Sequence, residues 1–194
     1  MTIRLAIDPG PEVSAWLVHD SANDEIRGFG IWPNHELLDL LRGDAHGGLS
    51  SEVTRIAIEK VESFGMAVGA EVFETVFWSG RFAEASSRWS ISLERIPRRA
   101  VKLHLCGSAR AKDANIRQAL IDRYGGPSSR GTKAKPGPLY GIANDVWSAL
   151  AVAVTAADQA EDGVRSLVMA GYEPTSVGRG VATSYCGALR RADR

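Results

Sequence analysis

Apolar residues in the first sixty positions come in short runs with β-branched members, each closed by a turn signal or a charge. Residues 3–8, IRLAID, stop at Asp8-Pro9-Gly10, a strand followed by a turn. Residues 13–20 (VSAWLVHD) and 25–33 (EIRGFGIWP) read as a second and a third strand. The short polar joint at residues 21–24 makes them antiparallel neighbours in a meander. The pattern then changes period. HELLDLLRG, behind Asn34 as a candidate cap, has helical spacing and ends at Gly43. A polar, glycine-rich connection leads to TRIAIEK (54–60), a buried strand ending at Glu59.

Further on, Val68, Val72, Val76 and Gly80 recur every fourth residue, and Phe73, Phe77 and Ala83 widen the stripe into an amphipathic helix. A mid-helix glycine costs about 1 kcal/mol relative to alanine, so Gly80 predicts a close backbone approach. Residues 90–96 (SISLERI) resemble another strand. A helix with Ile116, Leu120 and Ile121 on its apolar side starts near Asp113 and stops at Gly125. Residues 125–138 read as a mobile basic loop, and residues 144–162 as the last strong helix. The sum is an α/β domain over residues 1–162, a mixed central sheet with its first three strands antiparallel and helices flanking it. Residues 163–194 show no sustained period and form a C-terminal extension.

Composition narrows the class. The chain has 194 residues, 44% hydrophobic and 24% charged, enough to bury a core without staples. Cys106 and Cys186 belong to no C-x-x-C or Cys/His pattern, which argues against a disulfide framework and a zinc site. No apolar run behind Arg4 has the form of a signal peptide, and none approaches the roughly eighteen residues of a membrane span. A cytoplasmic, reduced protein is expected. The 23 basic and 23 acidic residues cancel. Between Arg95 and Lys135, however, eleven Lys/Arg face only Asp113 and Asp122. Such a cluster is either a solvated basic face or an attractor for a phosphate backbone.

Two apolar strands each end in a carboxylate, Asp8 and Glu59, and a third, Asp145, opens the long apolar helix. Taken singly, Asp8 is also a turn residue and Asp145 a helix N-terminal acid. Together, carboxylates at adjacent strand ends converge on one sheet edge, and hard divalent cations relieve their repulsion. Two such ions can activate a water and stabilise the leaving oxygen of a phosphodiester. The four histidines, His19, His35, His46 and His104, have no spacing for a metal or a nucleophile–base pair and read as incidental. Trp78, Trp89 and Trp147 read as core packing.

LAIDPG, IAIEK, CGSARAKDANIRQAL and NDVWSALAVA occur in the order and at roughly the spacing of the RuvC family of Holliday-junction resolvases, and the chain resembles most the RuvC-like proteins of bacteriophages and prophages. The resemblance spans about residues 3–157. It implies an RNase H-like fold and a structure-selective endonuclease acting as a homodimer on four-way or other branched DNA. It also implies two Mg²⁺ ions, with Mn²⁺ as a substitute, on Asp8, Glu59 and Asp145. The family's D-x-x-D-A-L-A pattern reads here Asp145-Val146-Trp147-Ser148-Ala149-Leu150-Ala151, so a serine stands at the fourth acid's position. Positions 145 and 148 share a helix face, and Ser148 can hold a metal-bound water but supplies no charge. Weaker metal binding, a substitute acid such as Asp113, and lost activity are all open.

The family's junction-opening aromatic aligns with Glu62, and Phe64 is the nearest aromatic, either stacking on bases or anchoring the turn in the core. Glu62 is either a supporting acid or a surface residue. Arg110, Lys112 and Arg117 are candidate phosphate contacts, with Lys102, Lys133 and Lys135 further out. The apolar face of residues 68–84 is either a dimer surface or plain core. The alternative function is a nuclease-fold protein that binds nucleic acid without cutting it. A sugar-kinase-type ATP-binding fragment lacks its second Asp/Gly-rich phosphate loop and is set aside.

Overall fold

The computed structural model describes residues 2–44, 49, 51–63, 65, 67–89 and 91–169, the side chains of 164–169 excepted. In chain order the elements are β1 (Ile3–Asp8), β2 (Val13–Asp20), β3 (Glu25–Pro33), α1 (Asn34–Arg42), β4 (Val53–Lys60), α2 (Ala70–Ser86), β5 (Ser92–Pro97), α3 (Arg98–Cys106), α4 (Asp113–Arg123) and α5 (Val146–Met169). Residues 1–159 form one compact unit. Of the second, residues 160–194, only the helical backbone to Met169 is described, and the expected extension otherwise lies outside the described residues. No helix among the described residues is long and apolar enough to cross a membrane.

The sheet has the order β3-β2-β1-β4-β5. β1, β2 and β3 pair antiparallel, and β4 and β5 continue parallel to β1. This is the expected mixed sheet. Its two faces follow from the two-residue period of a strand. Ile3, Leu5 and Ile7 of β1, with Ile56 and Ile58 of β4, pack on Leu37, Leu38 and Leu41 of α1 and Phe82 and Ala85 of α2. The alternate residues, Ala6, Ala15 and Ala57, face α3, α4 and the alanine-rich α5. Small residues on both surfaces let α5 lie close to the sheet centre. Its direction is fixed by Arg4 at the start of β1, whose Nη2 donates to the carbonyl of Ala156 (3.2 Å). Eight residues of helix from Ser148 to Ala156 and four of strand from Asp8 to Arg4 each span about 12–13 Å, so α5 runs antiparallel to β1.

Several local expectations change. Asn34 does not cap α1; Pro33 precedes the helix, and Asn34 is its first residue. The buried Asn34 side chain instead accepts from Ser14 Oγ (2.6 Å) and donates to the carbonyl of Gly10 (2.9 Å), clamping the turn that follows Asp8. A Cβ on Gly10 would meet the carbonyl oxygen of Val13 at 2.4 Å, so the turn excludes other residues. In α2 the buried residues are Ser79, Phe82, Ala85 and Ser86, while Phe73, Val76 and Phe77 are 65%, 48% and 57% exposed. The predicted stripe therefore faces outward. Nothing lies within 4 Å of a Cβ placed on Gly80, so the expected close approach is absent.

Residues 125–138 are folded rather than loose. Pro127–Arg130 make a 3₁₀ turn, Gly131 bridges to Pro136, and the Thr132 and Lys135 backbones exchange hydrogen bonds (2.9 and 3.1 Å). Gly131, at φ +60°, packs so closely that a Cβ would meet Gly137 N at 2.1 Å. Helix α3 was not expected, although Pro97 before it and Gly107 after it are start and stop signals.

Candidate active site

Asp8 and Glu59 both belong to the alternate set that faces α5: Arg4-Ala6-Asp8 on β1 and Arg55-Ala57-Glu59 on β4. The strands are parallel neighbours in the register Ala6↔Ala57 and Ile7↔Ile58, which carries Asp8 and Glu59 to the same end and the same face. α5, running antiparallel across that face, brings its N-terminus there. The exposed Asp145 immediately precedes the helix, and its carbonyl accepts from the Ser148 and Ala149 amides (2.9 and 3.1 Å). Asn144, in the left-handed region at φ +48°, makes the turn into it.

At the centre lies a residue that sequence reasoning did not single out. Arg98, the first residue of α3, donates from Nη1 to Glu59 Oε2 (3.0 Å) and to Ser148 Oγ (3.0 Å). Its Nη2 donates to Asp113 Oδ1 (2.8 Å). Ser148, whose oxygen accepts from Arg98, also stands near enough to Asp8 to lower its carboxyl slightly.

The electrostatics are uneven. Burial pushes the Asp8 carboxyl up to about 8, and repulsion from Glu59 and Asp145 adds to it; Arg98 and Ser148 only partly oppose the rise. Burial also raises Glu59 above its ordinary value, against the pull of Arg98 and Lys102. Asp113, at the rim, is lowered by its hydrogen bond from Arg98. The oxygen-only set of Asp8, Glu59, Asp145 and Ser148 suits a hard divalent cation, which would offset both the burial of Asp8 and its repulsion from Glu59 and Asp145. Among the described residues no three His, Cys, Asp or Glu side chains form a ready metal cluster. The acids fit a cation held by one or two carboxylates and water, with Arg98 between the remaining groups.

A cleft of about 630 Å³ opens beside this centre, lined among others by Arg98, Asp113, Arg117, Arg130, Asp145 and Ser148. Arg117 stacks over the ring of the buried Trp147, 4.9 Å from its centroid. Lys102 is half-buried on α3 within electrostatic reach of Glu59 and Asp113. Arg110 and Lys112 are exposed on the segment leading into α4. Lys133 and Lys135 are exposed on the tight turn 131–136. Phe64 and His46 lie outside the described residues. Glu62 accepts from Lys60 Nζ (2.8 Å). His19 and His104 pair with Asp24 and Asp158 in a separate network.

No protein-family model and no curated protein matches the sequence. Solved structures do match. The chain is similar to the Thermus thermophilus RuvC structure, with a TM-score of 0.60 at 15% identity, over 84% of this chain and 97% of that one. It is similar also to T. thermophilus RuvC in complex with Holliday junction substrate, with a TM-score of 0.59 at 16% identity and the same coverage. The fold is RNase H-like, as the sequence resemblance implied.

Proposed function

We propose that this chain is a divalent-cation-dependent endonuclease that cuts branched DNA, a resolvase-like enzyme of the phage and prophage type. One observation carries the reading. Two carboxylates end parallel neighbouring strands on one face, a third heads the helix crossing that face, and burial together with repulsion from Glu59 and Asp145 pushes the first up to about 8. The similarity in fold to a protein solved with a Holliday junction substrate supports branched DNA as the substrate class.

In this reading Asp8 and Asp145 hold the cation, Glu59 stands beside it in the grip of Arg98, and Ser148 contributes through a water. A bound Mg²⁺, or Mn²⁺ in its place, supplies an activated water and a Lewis acid at the phosphodiester. The chain's own groups prepare the site. Arg98 holds Glu59, Ser148 and Asp113, and Ser148 tempers the rise of Asp8. Arg110, Lys112, Arg117 and Lys102 draw the backbone phosphates toward the cleft, and Lys133 and Lys135 extend that field from a rigid turn. The outward stripe of Phe73, Val76 and Phe77 fits a second copy of the chain, giving one site per cut strand. Residues 1–162 carry the nuclease, with 163–194 as an extension.

The test is cleavage of an end-labelled four-way junction with Mg²⁺ or Mn²⁺ by the parent and by Asp8→Asn. The parent cuts. The variant loses cleavage by about 10³-fold or more, yet binds the junction as well or better, because a charge facing the phosphates is gone. A folded Asp8→Asn protein that no longer binds junction overturns the assignment. The Arg98 guanidinium inside the site, with serine at position 148, favours a second reading, a protein that binds branched DNA without cutting it. A parent that binds junction but is inert with every divalent ion selects that reading.

A further inference from the structure

Serine at position 148 and arginine at position 98 are one feature rather than two. The Arg98 Nη1 lies between Glu59 and Ser148, at 3.0 Å from an oxygen of each. A cation bridging Glu59 to an acid at position 148 would need this place. Arginine stays protonated at every working pH, so the positive charge there is permanent. Ionised, Asp8, Glu59 and Asp145 carry three negative charges and Arg98 returns one, leaving a deficit that one divalent cation balances. Asp113 adds a charge at the rim, but Lys102 also faces it. An aspartate at position 148 with no arginine would instead leave a deficit matching two such ions.

We propose that the Arg98 guanidinium stands in for one of the two cations of a two-ion nuclease site, so that each chain binds a single divalent ion on the Asp8 and Asp145 side. The inference rests on the metal-dependent reading above and deepens it. Arg98 Nη1 reaches Glu59 and Ser148 at 3.0 Å each, and so supplies at that place the positive charge a second ion would bring. Unlike an ion, it is already in place before DNA arrives.

The experiment counts ions directly and does not depend on cleavage. The full chain is titrated with Mn²⁺, free ion is followed by electron paramagnetic resonance, and folding is checked by circular dichroism. The parent and Arg98→Lys, which keeps the charge, each bind one Mn²⁺ per chain. The Arg98→Gln/Ser148→Asp double variant binds two, and Arg98→Gln alone, should the double variant not fold, acquires a second and weaker ion. Asp8→Asn loses at least about tenfold in affinity for the first. Two ions of similar affinity on the parent, or one ion on both the parent and the folded double variant, overturn the proposal. A parent that binds none while Arg98→Gln binds one also overturns it, since Arg98 then blocks the site. Folded proteins that bind no Mn²⁺ in any form refute the metal-dependent reading itself, and this inference with it.

Discussion

Arg98 and Arg123 each sit among carboxylates, at opposite ends of β1, with opposite outcomes for the acids around them. Arg123 donates from Nε to Asp24 (2.7 Å) and from both Nη atoms to Asp158 (2.7 and 3.0 Å). His19 and Tyr124 join Asp24, and His104 joins Asp158. Burial tends to raise both acids, but these bonds outweigh it and hold both below the ordinary carboxylate value. The network ties the β2–β3 turn to α4 and α5. Around Arg98 the balance is reversed: one guanidinium serves Glu59, Ser148 and Asp113, and both Asp8 and Glu59 remain raised. Around Arg123 the protein's own groups outweigh burial at both acids. Around Arg98, Asp113 at the rim is lowered, but burial wins at Asp8 and Glu59, as it does at many ligand sites.

The largest effect that could break this contrast is on stability with and without metal. Arg123→Ala should cost about 2 kcal/mol, because Asp24 and Asp158 lose several charge-assisted bonds in a partly buried setting. Millimolar Mg²⁺ should not restore it. Arg98→Gln should also destabilise the protein in chelator near pH 8, but there Mg²⁺ should restore the melting temperature, since the cation replaces the missing charge. Equal metal response in both variants, read by thermal denaturation, would erase the distinction.

Next is the dependence on pH. Asp8 has a folded value of about 8 against an ordinary 3.8. Between these values the folded protein holds more protons than the unfolded one, so stability in chelator falls as pH rises through that window. Asp24 and Asp158 are shifted the other way, so their contribution is present above the ordinary carboxylate value and is lost as pH falls toward their lowered ones. The two ends therefore tilt the profile in opposite senses. Asp8→Asn should flatten the fall between about pH 4 and pH 8. Melting curves in which the variant declines as steeply as the parent would show that Asp8 is not the group responsible.

Smaller effects separate binding from the two networks. Arg110→Ala, Lys112→Ala and Arg117→Ala should each weaken junction binding and reduce its salt slope by about one. An unchanged slope returns that residue to the solvated surface. The mildest change is Gly80→Ala in the exposed face of α2. An added Cβ meets nothing within 4 Å, so stability should rise by up to about 1 kcal/mol without altering metal response or DNA binding. A loss of stability there would mean that this face is already covered in solution.

The sequence by itself determined the strands, their order along the chain and the face on which two of the acids fall. Arg4-Ala6-Asp8 and Arg55-Ala57-Glu59 each follow a two-residue period, and the Asp8-Pro9-Gly10 turn closes the first strand, so local pattern suffices. Periodicity also located α2 but could not say which side of it packs. Its apolar residues exceed one face, and only the arrival of α1 and β4 chose Phe82 and Ala85 over Phe73 and Phe77. Asn34 looked like a cap because its type favours caps; its partners Ser14 and Gly10, two dozen residues or fewer away on a turn, drew it inward instead. Arg98 was one of eleven basic residues in a charged stretch. Its partners Asp113, Glu59 and Ser148 are 15, 39 and 50 residues distant, brought together by β4, α3 and α5 meeting at one edge. Charge along a chain has no period that reports such meetings, and the folded sheet alone decided which arginine would stand among the acids.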